Sequence, residues 1–192
     1  MRLLALDPGA KRMGWAVVSK GNSGPLFHGS GIIGLTRGAS EKYQDYRIRL
    51  IQYIVLEGSM LLATTAPGAC VSEILPVRGF NNMSQPLLAA TAITTMQTLC
   101  HEYGMPLYQI GANTVKVHMA KHNRATKAQV RNGVLLLLPE LLHKKSQWTK
   151  EFDEPDAIAV GLTYLGYDLR TPVVEYSNGP SEEQTDGGNP TA

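Results

Sequence analysis

The run Leu3-Leu4-Ala5-Leu6 ends in Asp7, and this junction constrains the chain more than any other stretch. The apolar run enters a turn at Pro8-Gly9, and a second one, Trp15-Ala16-Val17-Val18, follows Gly14. Two apolar runs flanking a Pro-Gly turn read as a β-hairpin with both strands buried on at least one face. Asp7 stands where such a strand would place another apolar side chain. An ionised carboxylate among packed apolar groups is costly unless a metal ion, a basic partner or a hydrogen-bonding turn compensates it. Asp before Pro-Gly is also sound turn chemistry, so the turn alone is one explanation of this residue.

The rest of the chain supplies elements to pack on that hairpin. Residues 2–7 and 13–19 are the first two expected strands. Residues 26–33 are a third, so short turns join an antiparallel meander. Ser40 is the expected N-cap of a long helix, in which Tyr43, Tyr46, Leu50, Ile51, Ile54 and Leu61 recur at helical spacing. Residues 69–75 form a fourth strand, interrupted by Glu73. Alternation puts Glu73 on the face of Val71, which directs it inward unless the strand is an edge and Glu73 meets water. Residues 76–83 read as a loop holding Arg78, Phe80 and Asn82. Ser84 then caps a helix over 85–103. That helix has no charge before His101, so it is buried on most sides or serves as a subunit interface. Residues 105–110 are a fifth strand, and 112–119 a short helix carrying Lys116. Lys121 and Arg124 lie in a basic loop. Thr126-Lys127-Ala128-Gln129 fits a capping box for a helix to Leu138, with Lys127 and Arg131 four apart on one face. Asp153 is the expected N-cap of a last helix running to Leu165.

Charge is distributed unevenly. After Arg170 there is no Lys or Arg but four acids, so the net charge of +2 divides into a basic body and an acidic tail. Residues 116–150 hold eight basic residues against Glu140 alone. Such a bias suits a polyanionic partner such as nucleic acid, or a lysine-rich solvated surface. Residues 1–170 are expected to form one domain, and 171–192 a disordered acidic tail. No apolar run reaches the length of a membrane span. Met1-Arg2-Leu3 runs straight into a strand, so no leader is expected. Cys70 and Cys100 fall in apolar runs and read as buried free thiols of a reducing cytoplasm.

Four acids therefore stand on ordered elements: Asp7, Glu73, and the pair Asp153 and Asp156, which share one helix face at i and i+3. Like charges resist joint ionisation at close range, so a convergent set requires a counter-charge. Mg²⁺ or Mn²⁺ supplies it through oxygen ligands, and two such ions can activate a water at a phosphodiester. Asp153 has a competing role as an N-cap, and Asp156 as an acid favoured by the helix dipole. His118 and His122 lie four apart, but no Cys or third His stands at suitable spacing for zinc.

The stretches Leu4-Ala5-Leu6-Asp7-Pro8-Gly9, Gly14-Trp15-Ala16-Val17-Val18, Val71-Ser72-Glu73, Thr126-Lys127-Ala128-Gln129-Val130 and Asp153-Glu154-Pro155-Asp156-Ala157-Ile158 occur in this order. Together they resemble the RuvC family of Holliday-junction resolvases over roughly residues 2–166. The resemblance implies an α/β, RNase H-like fold: a mixed five-stranded sheet, three N-terminal strands antiparallel, with helices on both faces. It implies a homodimer that cuts opposed strands of a four-way DNA junction with Mg²⁺, two ions per active site. Carried over, Asp7, Glu73, Asp153 and Asp156 are the metal-binding and catalytic acids, and Lys127 matches a basic catalytic or DNA-contacting position. Lys116, Lys121, Arg124, Lys127, Arg131, Arg78 and Asn82 are then DNA-contacting positions. Phe80 either stacks on a junction base or anchors its own loop. The acidic tail and divergent middle suggest a distant branch, phage-encoded and acting in a host cytoplasm. Rival expectations are a nuclease of this fold acting on flaps, forks or RNA, and a non-catalytic binder of branched DNA. An actin-like ATPase also opens with an Asp-x-Gly hairpin, but it needs a second domain for which 192 residues leave no room.

Overall fold

The computed structural model describes residues 1–75, 84–149 and 151–169. Arg78, Phe80 and Asn82 lie outside the described residues, as does the tail over 171–192. The meander comprises β1 (Arg2–Pro8), β2 (Arg12–Lys20) and β3 (Pro25–Gly34). Helix α1 (Tyr43–Thr65) leads to β4 (Ala69–Glu73), and α2 (Ser84–Glu102) to β5 (Leu107–Ile110). Then come α3 (Ala112–Ala120), α4 (Lys127–Leu137), two 3₁₀ turns over Pro139–Lys144 and Gln147–Thr149, and α5 (Asp153–Tyr164). The sheet order is β3-β2-β1-β4-β5. β1 pairs antiparallel with β2, which pairs antiparallel with β3, whereas β4 runs parallel to both β1 and β5. This is the mixed sheet that the motifs imply.

Strand alternation divides the core into two layers. Leu4, Leu6, Met13, Val17 and Cys70 pack with Tyr46, Leu50 and Ile54 of α1 and Leu88, Ala92 and Met96 of α2. Leu3, Ala5, Ala16, Val18, Ala69 and Val71 point the other way, onto α3, α4 and α5. From Ala157 to Val160 the last helix is fully buried, so it is the central element of that second layer. Burying a side chain the size of Ile158 contributes about 1.5–3 kcal/mol. Gly161 lets α5 approach the sheet, because a Cβ there would lie 2.7 Å from Val18 Cγ2 and 3.0 Å from the Ala5 Cβ.

Local signals at helix starts fare differently. Thr126 makes the expected capping box: its Oγ1 accepts from the Gln129 N–H, and its own N–H donates to Gln129 Oε1 at 2.8 Å. Ser40, by contrast, is not a cap. α1 starts at Tyr43 after Lys42, because Glu41 is held outside the helix by Arg49 at 2.7 Å and by the Gly38 N–H. Asp153 is not a cap either. Phe152 occupies that position, and the Asp153 carboxylate is drawn instead to Arg12.

Candidate active site

Asp7 and Glu73 reach one place through register and parity. Leu6 of β1 lies opposite Ser72 of the parallel β4, so the two acids are the next residues on adjacent strands. Each continues the alternation of Ala5 and Val71, which face α3, α4 and α5. Both therefore project into the second layer, at the C-terminal ends of parallel strands, where open α/β sheets form crevices. Asp7 is also paired across the hairpin with Gly14. A Cβ on Gly14 would lie 2.0 Å from the Asp153 carbonyl oxygen, so this glycine admits the first residue of α5 against the hairpin. The acidic first turn of α5 is thereby seated beside Asp7.

The result is a cleft of about 220 Å³ lined by Asp7, Glu73, Lys116, Lys127 and Asp156, with an apolar wall that includes Val115 and Val130. Lys127 Nζ donates to Asp156 Oδ2 at 2.5 Å. Burial pushes the Asp7 carboxyl up to about 8, and the charges of Asp156 and Glu73 add to the effect, while Lys127 opposes it. Burial also raises Glu73, assisted by Asp156. It raises Asp156 as well, despite the hydrogen bond from Lys127. Burial alone would lower the Lys127 ammonium, but its bond to Asp156 and the surrounding carboxylates outweigh this and raise it. The cleft thus gathers three carboxyl groups against two lysines, and holding all three ionised requires further positive charge.

Asp153 sits at the rim rather than in the wall of the cleft. Its Oδ2 is ion-paired with Arg12 Nε at 2.9 Å, and Arg12 Nη1 donates to Glu151 Oε1 at 3.1 Å. Glu154 turns away to Ser30 Oγ at 2.7 Å and Lys144 Nζ at 3.1 Å. Among the described residues no three carboxylate, imidazole or thiol side chains form a ready-made metal centre. The arrangement is an open cleft with oxygen donors in its wall.

Of the expected basic contacts, Lys116 and Lys127 line the cleft, and Lys121 and Arg124 are exposed beside it. Arg131 departs from its expected place on a DNA-facing surface. It is only 9% exposed, donates from Nη1 to the Trp148 carbonyl at 3.1 Å, and stacks over Phe152 at 5.8 Å. It is a packing residue joining α4 to the 3₁₀ segment. A signal for this was present, since Arg131 shares a helical stripe with Leu135 and Leu138, both buried. His118 lies against the segment that follows α5, 3.4 Å from the Tyr167 carbonyl and 3.9 Å from Asp168 Oδ2. Arg12 is the site residue that sequence reasoning missed. Its position two residues before Gly14 in the hairpin is the one pointer to it.

No family profile matches the chain. It is 31% identical over 176 residues to the crossover junction endodeoxyribonuclease RuvC of Trichlorobacter lovleyi, covering 88% of each chain. The chain belongs to the RuvC family. A second RuvC, from Alkalilimnicola ehrlichii, is 30% identical over 164 residues, which is 85% of this chain and 90% of that one. Among solved structures, Thermus thermophilus RuvC superposes with a TM-score of 0.65 at 22% identity, over 85% of this chain and 92% of that one. The same protein in complex with Holliday junction substrate gives 0.66. The yeast mitochondrial Holliday junction resolvase Ydc2 gives 0.64 at 15% identity, over 85% of this chain and 77% of that one. At these identities the structural likenesses establish the RuvC fold, and the sequence relatives establish the family.

Proposed function

We propose that this chain is a divalent-metal-dependent endonuclease that resolves four-way DNA junctions by cutting opposed phosphodiesters. The observation that carries the reading is the meeting of Asp7, Glu73 and Asp156, from two strands and a helix, in one cleft with Lys116 and Lys127. The donors are carboxylate oxygens, the ligand chemistry of hard divalent cations, and their upward-shifted protonation marks a demand for counter-charge. Mg²⁺ fits this set, with Mn²⁺ as a substitute and two ions as the expected complement. Asp7, Glu73 and Asp156 would hold it from the cleft, and Asp153 from the rim. When bound, a divalent cation supplies Lewis-acid polarisation of the phosphate and a more acidic water.

The chain's own residues do the rest. Lys127, already fixed by Asp156, offers a positive charge to the phosphate oxygens on which charge develops. Lys116, also in the lining of the cleft, offers a second positive charge to the phosphate. Lys121 and Arg124 hold neighbouring phosphates without reading sequence. The apolar wall limits water around the reacting group. A homodimer would set the spacing of paired cuts, because a two-fold enzyme matches a near two-fold junction. The surface that suits it is the groove of about 610 Å³ between α1 and α2, lined by Ile51, Val55, Leu87 and Thr94. The α2 threonines Thr91, Thr95 and Thr98 donate their hydroxyls to carbonyls of their own helix, so the groove is mostly apolar, with Arg47 and Glu102 as the charged residues of its lining. Ile48, Leu56 and Met60 extend it along α1. Cys70 and Cys100, both free and buried, suit a cytoplasmic protein, in which residues 1–170 act as one nuclease domain followed by an acidic tail.

The test is cleavage of a labelled immobile four-way junction beside matched duplex and flap, with Mg²⁺ or EDTA and with Asp7→Asn as control. Paired, metal-dependent nicks confined to the junction support the reading. Equal cutting of flaps makes the chain a general branch nuclease. Tight junction binding without cutting by the wild type overturns the catalytic assignment.

A further inference from the structure

The acids at the entry to α5 differ in how they are neutralised. Glu154 has Lys144, and Asp156 has Lys127. Asp153 and Glu151 share one cation, Arg12. The two contacts use different nitrogens: Nη1 donates a hydrogen bond to Glu151, while Nε makes an ion pair with Asp153. Arg12 is the first residue of β2, and Gly14 two positions on is pressed against the Asp153 backbone. The guanidinium therefore cannot drift far from this carboxylate. Side-chain exposures of 39% for Arg12 and 29% for Asp153 leave the pair open to water, so it can break and re-form.

We propose that Arg12 is a positioning residue that competes with a divalent cation for Asp153, and that Glu151 retains the guanidinium when Asp153 turns to the cation. The inference rests on the metal-dependent reading of the cleft. Asp153 is the acid suited to release, because its cation has a second carboxylate to hold it. Arg12 thus keeps Asp153 neutralised at the rim until a cation is present, and it lowers the affinity of the complete site. Glu151 acts in the opposite sense, by drawing Arg12 away from Asp153.

Mn²⁺ titration of the DNA-free full-length protein by calorimetry tests this, with Arg12→Gln, Arg12→Lys, Glu151→Gln and Asp7→Asn. An exposed ion pair of this kind corresponds to about a two- to fivefold effect on an equilibrium. Arg12→Gln should therefore tighten Mn²⁺ binding by about that factor, and Arg12→Lys, which keeps the charge but has one nitrogen for two carboxylates, should fall between Arg12→Gln and the wild type. Glu151→Gln should weaken binding by a similar factor, since Arg12 then serves Asp153 alone. A merely structural role for Arg12 predicts the reverse, with Arg12→Gln loosening α5 and weakening the site. Unchanged or weaker binding by Arg12→Gln, or shifts of the same sign in Arg12→Gln and Glu151→Gln, overturns the inference while leaving the cleft assignment intact. Wild type and Asp7→Asn binding Mn²⁺ alike would instead remove the metal reading itself, and the inference with it.

Discussion

Asp7→Asn should stabilise the metal-free protein, and more so as pH rises. The Asp7 carboxyl titrates near 8 in the fold and at 3.8 as a free side chain, a shift caused first by burial and then by Asp156 and Glu73. A group whose folded pKa is raised contributes its stability below the unfolded pKa and loses it as pH climbs to the folded one. Between those limits the unfolded chain has released a proton that the folded one keeps, so stability falls by about 1.4 kcal/mol per pH unit. From pH 5.5 to pH 8 this amounts to about 3 kcal/mol, after which the loss levels off. Asparagine keeps the shape of the side chain and removes this proton. The stability gap between variant and wild type should therefore widen by about 3 kcal/mol over that interval, or roughly 6–12 °C in Tm for a domain of this size. Glu73 and Asp156 titrate in both proteins, so the difference isolates Asp7. The assay is thermal unfolding in EDTA at pH 5.5 and pH 8.5, followed by circular dichroism. Adding Mg²⁺ at pH 8.5 should raise the Tm of the wild type more than that of the variant. An Asp7→Asn protein no more stable than wild type at pH 8.5, or a gap independent of pH, would refute the placement of Asp7 in a crowded, water-poor carboxylate cluster.

Other substitutions separate packing from recognition. Arg131→Ala should lower stability by about 2–4 kcal/mol through the lost buried hydrogen bond and stacking, with the salt dependence of DNA binding unchanged, whereas Lys121→Ala should reduce that salt slope by about one and leave Tm in place. Leu87→Glu places a charge in the α1–α2 groove, and light scattering should show a monomer if this face joins two copies. Gly14→Ala drives a methyl into the Asp153 carbonyl, so α5 must shift at its first residue; thermal melts should show a loss of about 2 kcal/mol or more, and Mn²⁺ affinity should fall with it.

Much of the fold was legible because it depends on periods and turns that act over a few residues. The alternation in β1 and β4 located both inward-facing acids, and it did so without any knowledge of which helices would cover them. The capping box at Thr126 forms from neighbours within one turn, and it holds in the fold as read. The starts of α1 and α5 were misplaced for one shared reason. Ser40 and Asp153 are good caps by local preference, yet an arginine claims the acid at or beside each one: Arg49, eight residues on, takes Glu41, and Arg12 of the hairpin takes Asp153 of α5. A preference for a cap is worth about 1 kcal/mol, so an ion pair of similar size together with the packing around it is enough to move a helix start by a residue or two.

The candidate site shows the same division between what is local and what is assembled. Spacing at i and i+3 puts Asp153 and Asp156 on one face, and that much is sequence. Which of them enters the cleft is decided by cations that come from elsewhere in the chain. Lys127 reaches Asp156 from the first turn of α4, and Arg12 holds Asp153 at the rim from the start of β2. Charge placement on α4 follows the same logic. Lys127 and Arg131 are one helical turn apart, but the first caps a cleft and the second fills the space between Trp148 and Phe152. A guanidinium can serve as packing because its flat face stacks on an aromatic ring while its edge satisfies a carbonyl. Basic residues in a row therefore do not by themselves define a DNA surface. The carboxylates they approach, and the aromatic rings they cover, decide which of them remain free to meet a phosphate.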